Sequence, residues 1–323
     1  MSQITEEIND IKKMVRSVCL AGACNRGISY IGSFKKLEEL ELLKLEKIVG
    51  VSIGSFIAAC YLIGYSSDEL FEMIINKNMN EFKDYSNPFD AESDEGSLLK
   101  GISYKNWVFE VLAKKEDPNI TLRELYEKTK IEYTVTATCI HSAGTEFEEG
   151  LAYLSHIHTP EMSLFTAVNC SMAFPFIFPP VNYKNYLFID GGVLDNFPID
   201  LLDLDTIGIK VNFKPIDSST STKNPISYIG KIFELISNRF KILKDEKHQN
   251  IIDIDCDDFD IIDFGMSIDD KITLYKRGYK TMSLFISENK NVFFKELPII
   301  PDGGRLSPTI GSIVSSVPEI PIN

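Results

Sequence analysis

The chain has 323 residues, of which 44% are hydrophobic, so it can bury a substantial core in one large domain or two smaller ones. Its formal net charge of −14 argues against nucleic acid as a partner and against electrostatic attraction to anionic membranes. Any contact with lipid must therefore rely on apolar groups or on a local patch. The polar segment 1–14 contains no apolar stretch of signal-peptide length, which predicts a cytoplasmic protein.

No pattern of metal ligands predicts a metal or a cofactor. The six cysteines are scattered without C-x-x-C pairs, which predicts free thiols, mostly buried, rather than a zinc site or a disulfide framework. An acidic cluster begins at Asp253, but a calcium-binding EF-hand loop starting there would need glycine where Asp258 stands and glutamate where Phe264 stands. This cluster is predicted to be a solvated acidic edge.

The first regular elements are a strand from Val15 to Ala21 and a helix from Ile28 to Leu40. Between them, Gly22 to Gly27 form a loop of small residues before a helix N-terminus, a place where unpaired N–H groups face an anion. The loop nearly matches a phosphate-binding P-loop, but Ile28 stands where the P-loop lysine should be. That difference argues against a nucleotide enzyme.

A nucleophile elbow is predicted next, because Ser52 stands between Gly50 and Gly54 in a G-x-S-x-G pattern. Leu45 to Val51 is typical of a short strand with a buried apolar end, and Ser55 to Leu62 is typical of a packed helix. The serine of such an elbow has a strained backbone, and its neighbours two residues away must be small so that strand and helix can approach.

The run from Ile48 to Ser67 contains no charged residue and is long enough to cross a bilayer. Its glycines, serines and early turn favour a buried strand and a buried helix instead, so no transmembrane segment is predicted. From Ser66 to Gly101 the sequence becomes polar and acidic, which predicts a surface excursion that could form part of a lid.

Strands and helices continue to alternate, which predicts an α/β fold with a central, mostly parallel sheet. Thr121 and Glu124 have the spacing of a helix capping box. The further predicted elements are a helix Thr121 to Lys128, strands Glu132 to Ile140, Tyr186 to Ile189 and Ile207 to Phe213, and amphipathic patterns Pro225 to Lys244 and Asp269 to Ser287. The Pro-, Gly- and Ser-rich segment 298–323 is predicted to be a loose tail.

A serine nucleophile needs a base, and two candidates remain open at this point. Asp190 follows an apolar strand and opens the turn Asp190-Gly191-Gly192, where its carboxylate would be exposed at a strand end; the alternative is an ordinary turn residue. The other candidate is His248, which alone among the four histidines follows Asp190, as the Ser-acid-His order of α/β-hydrolases requires. It lies in a charged segment, and a solvated histidine is the simpler prediction.

Taken together, the loop Gly22 to Gly27, the elbow Gly50 to Gly54 and the turn Asp190 to Gly192 resemble the patatin-like phospholipase family, which is related to the catalytic domains of cytosolic phospholipases A2. The resemblance spans about residues 15 to 215. Supporting stretches are Ile120 to Tyr126, Thr136 to Thr138, Cys170 to Pro175 and Val193 to Pro198.

The resemblance implies a three-layer patatin-like fold and a Ser-Asp dyad without histidine. By that resemblance Ser52 is the nucleophile, Asp190 is the general base, and backbone N–H groups of Gly22, Ala23 and Cys24 hold the oxyanion. Arg26 and Gly27 match the family's basic position and its closing glycine, and the Arg26 cation could meet a lipid phosphate or form a surface salt bridge. The family usually has three glycines where this chain has Gly22, Ala23 and Cys24, and a non-glycine residue there would be strained at positive φ.

The implied activity is that of a phospholipase A, acting within a single catalytic domain over 15–297 whose lid-like excursion covers about 66–101. Two alternatives stay open: a neutral-lipid or lysophospholipid hydrolase, and a catalytically weak descendant that binds lipid or a protein partner. The implied partner is an acyl lipid, with transient contact at membranes. The sequence does not predict an oligomeric state.

Overall fold

The computed structural model of the chain describes residues 13–86, 97–143, 147–203, 205–212, 228–233, 235 and 247–294. Three predicted segments lie wholly or largely outside these residues: the polar segment 1–14, the amphipathic pattern Pro225 to Lys244, and the tail 298–323. The single domain over 15–297 remains a prediction.

The described residues form one mixed sheet in which hydrogen-bonded pairs connect the strands along the path β5-β6-β3-β2-β1-β7-β8, while β4 also pairs with β3. Strands β1, β2, β3, β7 and β8 pair in parallel, and β4, β5 and β6 form the antiparallel part. The strands are β1 Val15–Leu20, β2 Leu43–Val51, β3 Glu132–Ser142, β4 Gly150–Ser155, β5 Val181–Tyr183, β6 Tyr186–Asp190, β7 Ile207–Val211 and β8 Ile251–Ile254.

Strand β3 brings two distant parts of the chain together. Residues 134–136 pair with both β2 and β4, and Thr138 pairs with both β4 and β6, so β2 and β6 must share the edge that β4 does not occupy. Because β2 runs parallel to β3 and β6 runs antiparallel, their carboxyl ends meet. Val51 lies opposite Thr136, and Asp190 lies opposite the next residue, Ala137.

Helices flank this sheet, as the predicted fold class requires. They are α1 Ile28–Glu39, α2 Ile53–Leu62, α3 Ser67–Ile75, α4 Ile102–Ala113, α5 Leu122–Thr129, α6 Leu164–Met172, α7 Ile268–Glu288 and α8 Lys290–Phe293, and residues 228–233 are also helical. The predicted strands and helices that fall on described residues are confirmed, with ends shifted by no more than two residues. The capping box of Thr121 and Glu124 at the start of α5 is present.

The two faces of the sheet carry separate cores because side chains alternate along each strand. Val18 and Leu20 of β1 point into the larger core, to which α1, α2, α6 and α7 contribute. Cys19 and Ala21 point to the other face, where Phe197 packs against them. On the larger face α1 and α7 cross in backbone contact, and this contact holds the start of α1 and the loop before it in place.

The segment predicted to be a loop-like excursion is partly helical. Ser66 and Glu69 form a capping box that starts α3, and Leu70 and Ile74 on its inner face are buried. A short 3₁₀ turn follows over Met79–Phe82. The helix forms because two buried aliphatic side chains, four residues apart, compensate for the many polar residues. Residues 87–96 of the predicted excursion lie outside the described residues.

All six cysteines are free thiols, and five of them are buried. Among the residues that the structure describes, no helix is long and apolar enough to cross a membrane. Nor does that part of the chain hold a group of three or more His, Cys, Asp or Glu side chains placed to bind a metal ion.

Candidate active site

Ser52 occupies the sharp turn between β2 and α2 that the G-x-S-x-G pattern predicts. Its φ of 52° and ψ of −128° lie outside the regions that a serine ordinarily adopts, as in a nucleophile elbow. The flanking glycines are required by space, since a Cβ on Gly50 would lie 2.6 Å from Ser55 Cα and one on Gly54 would lie 2.6 Å from the Leu20 carbonyl oxygen. Ser52 is 7% exposed and lines a pocket.

A buried serine from α6 fixes the backbone of the elbow. The Ser52 N–H donates to Ser171 Oγ at 2.8 Å, and the Ser171 hydroxyl donates to the Thr136 carbonyl at 2.6 Å. Thr136 is the β3 residue opposite Val51. This chain of hydrogen bonds therefore ties the strained residue to the strand that both β2 and β6 join.

Asp190 ends β6 and is completely buried. Its Oδ1 accepts the Gly192 N–H at 2.8 Å, whereas Oδ2 has no hydrogen-bond partner among the described residues. The ring of Phe233 lies against this turn, since a Cβ on Gly192 would be 2.7 Å from Phe233 Cζ. The carboxylate is thus shielded from water and keeps one oxygen available as a proton acceptor.

Burial raises the pKa of Asp190 to about 7, while interaction with the Ser52 hydroxyl and the hydrogen bond from the Gly192 N–H act in the opposite direction. Desolvation is the largest cause, and no cation among the described residues opposes it. A carboxylate with a pKa near neutrality is a much stronger base than an exposed aspartate and still loses its proton near physiological pH.

The loop after β1 begins beside the serine, since a Cβ on Gly22 would be 3.3 Å from Ser52 Cβ. Asn196 clamps this residue from both sides: its carbonyl accepts the Gly22 N–H at 3.1 Å, and its Nδ2 donates to the Gly22 carbonyl at 3.0 Å. The Gly22 N–H is therefore already used. A side chain at position 22 would also collide with Asn196 Oδ1, which accounts for the glycine.

The two residues that replace family glycines differ in backbone conformation. Ala23 has φ −148° and ψ 0°, and its N–H has no acceptor among the described residues. Cys24 has a φ of 47° and so carries the strain that glycine would avoid. A short 3₁₀ turn, Cys24–Gly27, leads into α1, and Gly27 packs on Ile53 at the start of α2.

Arg26 does not face solvent, which corrects both predictions for its side chain. It is 4% exposed, and its Nε donates to the Phe259 carbonyl at 3.0 Å. Asn25 makes a parallel contact, with its Nδ2 donating to the Asp263 carbonyl at 2.7 Å. These bonds attach the loop to the segment 255–266, so the buried Arg26 cation holds the loop against the backbone of that segment. It is not placed to bind a lipid phosphate or to form a surface salt bridge.

An apolar pocket opens beside Ser52. Its wall combines side chains from α2, α3, α4, the end of α6 and the two loops at 174–178 and 262–264. The lining side chains other than those of Ser52 and the 24–25 loop are Ile28, Ile53, Ile57, Ile74, Met79, Phe82, Tyr104, Trp107, Met172, Phe174, Ile177, Phe178, Ile262 and Phe264. Such a wall fits an alkyl chain rather than a polar substrate.

His248 was predicted to be solvated, and this prediction is wrong. Its side chain is buried, and Nε2 lies 3.2 Å from Oδ1 of Asp200, which belongs to the 3₁₀ turn Ile199–Leu201. The pair does not line the Ser52 pocket. The acidic cluster that begins at Asp253 also has partners, since Asp253 pairs with Lys210 and Asp258 pairs with Arg277.

Three buried polar residues of the site had no role assigned from the sequence. Ser171 holds the elbow and Asn196 clamps the loop, and both lie in stretches that resemble the family. Tyr104 lines the pocket with a buried hydroxyl that has no partner in the described part of the chain. No spacing rule reveals these residues, because each acts across elements that are remote in sequence.

The match to known proteins agrees with this geometry. The family model described as Patatin-like phospholipase matches residues 18–203, which include the loop, the elbow and the aspartate turn. This chain belongs to the patatin-like phospholipase family. Membership supports a hydrolase, and the mixed sheet flanked by helices is the fold expected of the family.

Curated relatives of this patatin-like chain are distant. The probable lipid hydrolase 463L of Invertebrate iridescent virus 6 is 30% identical over 193 residues, which cover 58% of this chain and 63% of the viral protein. The uncharacterized protein YqhO of Bacillus subtilis is 26% identical over 83% of this chain and 97% of its own length. Lysophospholipase NTE1 of Lodderomyces elongisporus is 23% identical, and the match covers 72% of this chain but only 14% of the yeast protein.

The solved structure of VipD from Legionella pneumophila supports the fold. It superposes with a TM-score of 0.53 at 17% identity and covers 85% of this patatin-like chain and 67% of VipD. At this identity the likeness concerns the arrangement of strands and helices.

Proposed function

We propose that this chain is a lipid acyl hydrolase of the phospholipase A type that works through a Ser52-Asp190 dyad. The observation that carries the proposal is a strained serine that lines an apolar pocket and interacts with a fully buried aspartate on the neighbouring strand end. The serine supplies the nucleophile, and the aspartate with its raised pKa supplies the base.

In the first half of the reaction, Ser52 Oγ forms a bond to the ester carbonyl carbon while its proton passes to Asp190 Oδ2. The tetrahedral intermediate then loses the alcohol, which takes the proton from Asp190, and an acyl-serine remains. In the second half, water gives a proton to Asp190 and attacks the acyl carbon. Collapse of the second intermediate releases the fatty acid and returns the proton to Ser52 Oγ.

The oxyanion needs backbone donors, and the loop beside Ser52 is the proposed source. Because the Gly22 N–H is held by Asn196, we assign the donor role to the Ala23 N–H together with its neighbour at Cys24. The apolar pocket would hold the acyl chain. A lipid substrate also implies transient contact with a membrane or micelle surface.

The test is fatty-acid release from mixed vesicles of phospholipid, lysophospholipid and neutral glyceride by the wild type, Ser52→Ala and Asp190→Asn. We expect release by the wild type and a loss of at least about a thousandfold in each variant, since each removes a partner of the nucleophilic step. Asp195→Asn is the matched control in the same turn, because asparagine keeps the acceptor for the Phe197 N–H. The products identify the lipid class.

A fluorophosphonate that labels Ser52 would separate a working nucleophile from a descendant that only binds lipid or protein. Release by the wild type no greater than that by Ser52→Ala on all three lipid classes, together with absent labelling, would favour the binding protein. The strained Cys24 and the engaged Gly22 N–H are the features that point to that alternative.

A further inference from the structure

Four large apolar side chains are exposed on neighbouring segments beside the pocket of Ser52. Phe176 is 65% exposed, Tyr85 60%, Ile102 56% and Leu98 36%. We propose that these four side chains, called here the apolar rim, dock the protein on the surface of a phospholipid bilayer. The inference rests on the proposed function, because it assigns the surface through which a lipid hydrolase meets its aggregated substrate.

Backbone hydrogen bonds place the rim segments side by side. The Leu98 N–H donates to the Phe176 carbonyl at 2.8 Å, and the Ser86 N–H, one residue after Tyr85, donates to the Leu98 carbonyl at 2.9 Å. Ile102 opens α4 directly after these residues. The exposed apolar side chains therefore belong to one local surface, which is the arrangement that marks an interaction site.

The rim is continuous with the wall of the pocket. The Leu99 N–H donates to the Ile177 carbonyl at 3.0 Å, and Phe174, Ile177 and Phe178 on either side of Phe176 all line the pocket. Tyr104, two residues after Ile102, lines it as well. An acyl chain leaving a bilayer at the rim would pass onto apolar side chains of the same segments without crossing a polar surface.

Phe176 combines exposure with backbone strain. Its φ of 65° is uncommon for a residue with a large side chain, and the strained backbone directs an aromatic ring into solvent rather than into the core. Strain kept at an exposed aromatic residue has no benefit for folding and points to a contact made outside the chain. Aromatic rings are favoured at the boundary between lipid headgroups and acyl chains.

The charges near the rim do not select anionic lipid. Lys83 and Lys100 lie on the described rim segments beside Asp84, and the chain as a whole carries a net charge of −14. The carboxylate of Asp84 accepts the N–H groups of Gly101 and Ser103 and so turns toward its own backbone. Apolar contact is thus the attraction assigned to the rim, and a zwitterionic bilayer suffices as its partner.

The test measures co-sedimentation with phosphatidylcholine vesicles, using the full chain with Ser52→Ala so that the lipid stays intact. We expect Phe176→Ser and Ile102→Ser each to lower the vesicle-bound to free ratio by about tenfold, the effect of withdrawing one large apolar side chain from lipid. The matched control is Ile157→Ser, because Ile157 is 67% exposed but lies with Lys47 and Glu132 at the opposite end of the sheet. Emission from Trp107, the chain's single tryptophan, and the thermal midpoint verify folding.

Equal partition of the rim variants and Ile157→Ser would overturn the proposal, as would absence of vesicle binding by the parent. Failure of the proposed function has a different signature. In that case the protein with Ser52 intact would bind vesicles through the rim yet hydrolyse no ester. If Ser52 hydrolyses a soluble short-chain ester but the rim substitutions do not change vesicle binding, the proposed function is supported and the proposed docking surface is wrong.

Discussion

The two residues assigned to catalysis are both held in states that their side-chain types avoid in isolation. Ser52 has a φ of 52°, and Asp190 is a carboxyl group with no exposure and one oxygen without a partner. Each state carries a cost in folding that the surrounding hydrogen bonds and packing offset. In the proposed mechanism this cost is what makes the pair reactive, since the elbow turns the serine side chain toward the pocket and burial makes the carboxylate more basic.

The raised pKa of Asp190 predicts the pH dependence of hydrolysis. Because the base acts in its ionised form, kcat/KM should fall about tenfold per pH unit below a pKa of about 7, far above the range of an exposed aspartate. The measurement is kcat/KM for a soluble ester between pH 4 and pH 9. A plateau that extends down to about pH 5 would contradict a buried base.

The same shift predicts an effect on stability. The folded state retains the Asp190 proton up to a pKa of about 7, whereas the unfolded chain releases it near the ordinary aspartate pKa of 3.8, so the free energy of unfolding falls as pH rises between these values. Asp190→Asn removes this dependence and should stabilise the protein by a few kcal/mol at pH 8, and not at pH 4. Urea unfolding of both proteins at the two pH values measures the difference, and no stabilisation at pH 8 would count against a desolvated carboxylate.

Cys24 gives a further prediction, because its φ of 47° puts the backbone of a residue with a side chain in the left-handed region. Cys24→Gly should raise the free energy of unfolding by about 1 kcal/mol without lowering the rate of hydrolysis, since glycine adopts this conformation without strain. Lys130→Gly is the matched control, since Lys130 has a φ of 59° at the exposed end of α5, far along the chain from the site. A loss of activity in Cys24→Gly alone would show that the thiol side chain, rather than the backbone, serves the loop.

The spacing of residues in the sequence predicted the site residues whose required contacts are local. Ser52 and Gly50 follow from the elbow because the atoms that crowd Gly50 belong to Gly54 and Ser55 in the same turn, whereas Gly54 is also crowded by the Leu20 carbonyl of β1. The burial of Arg26 could not be predicted, because its acceptor, the Phe259 carbonyl, lies more than 200 residues away in the sequence. The role of Asn196 could not be predicted either, because its partner, Gly22, is 174 residues away in the sequence.

At the level of elements, one lysine joins α7 to the wall of the pocket. Lys271, which is 2% exposed, donates from Nζ to the carbonyls of Ile74, Ile75 and Lys77 at 3.1, 3.2 and 2.5 Å. These carbonyls end α3, so the ammonium group caps the C-terminus of that helix. Ile74 and the turn that follows it line the pocket, and Lys271 thereby holds one wall in position.

Lys271→Met should therefore lower the free energy of unfolding by about 3 kcal/mol, because three carbonyls lose their hydrogen bonds from the buried ammonium group. The measurement is urea unfolding followed by Trp107 emission. Lys35→Met is the matched control, because Lys35 also contacts α3, through Asp68, but at the surface, where a change of less than about 0.5 kcal/mol is expected. Equal effects of the two substitutions would exclude a capping role for Lys271.

The elements that the sequence indicated correctly were those with regular periodicity and recognisable caps, such as α5, whose N-terminus is capped by Thr121. Helix α3 is not predicted from the sequence, because the segment 66–101 as a whole is polar and acidic, although Leu70 and Ile74 mark a buried helical face. Alternation predicted a mostly parallel sheet, which is confirmed, but it did not indicate that β4, β5 and β6 pair antiparallel. The direction of a strand depends on the end of the sheet at which the preceding connection enters it. The composition of that connection does not indicate which end this is.

At the scale of the whole molecule, the net charge of −14 opposes approach to anionic lipid. Raising the ionic strength from about 0.01 to 0.15 M shortens the Debye length from about 30 to 8 Å and screens this repulsion. Binding and hydrolysis on vesicles rich in anionic phospholipid should thus increase with salt, whereas those on phosphatidylcholine should change little. A decrease with salt on anionic vesicles would instead indicate a local basic contact strong enough to overcome the net charge.

The shared edge of β3 also determines where the chain tolerates insertions. Val51 and Asp190 are opposite consecutive residues of one strand, so the separation of the two reactive groups is fixed by a single residue step along β3. We expect that loops between them can change in length where they contact neither residue nor Ser171, which holds the elbow. New substrate-recognition segments can therefore be grafted between the elbow and the aspartate turn, while a one-residue deletion within β3 at positions 136–137 would separate them.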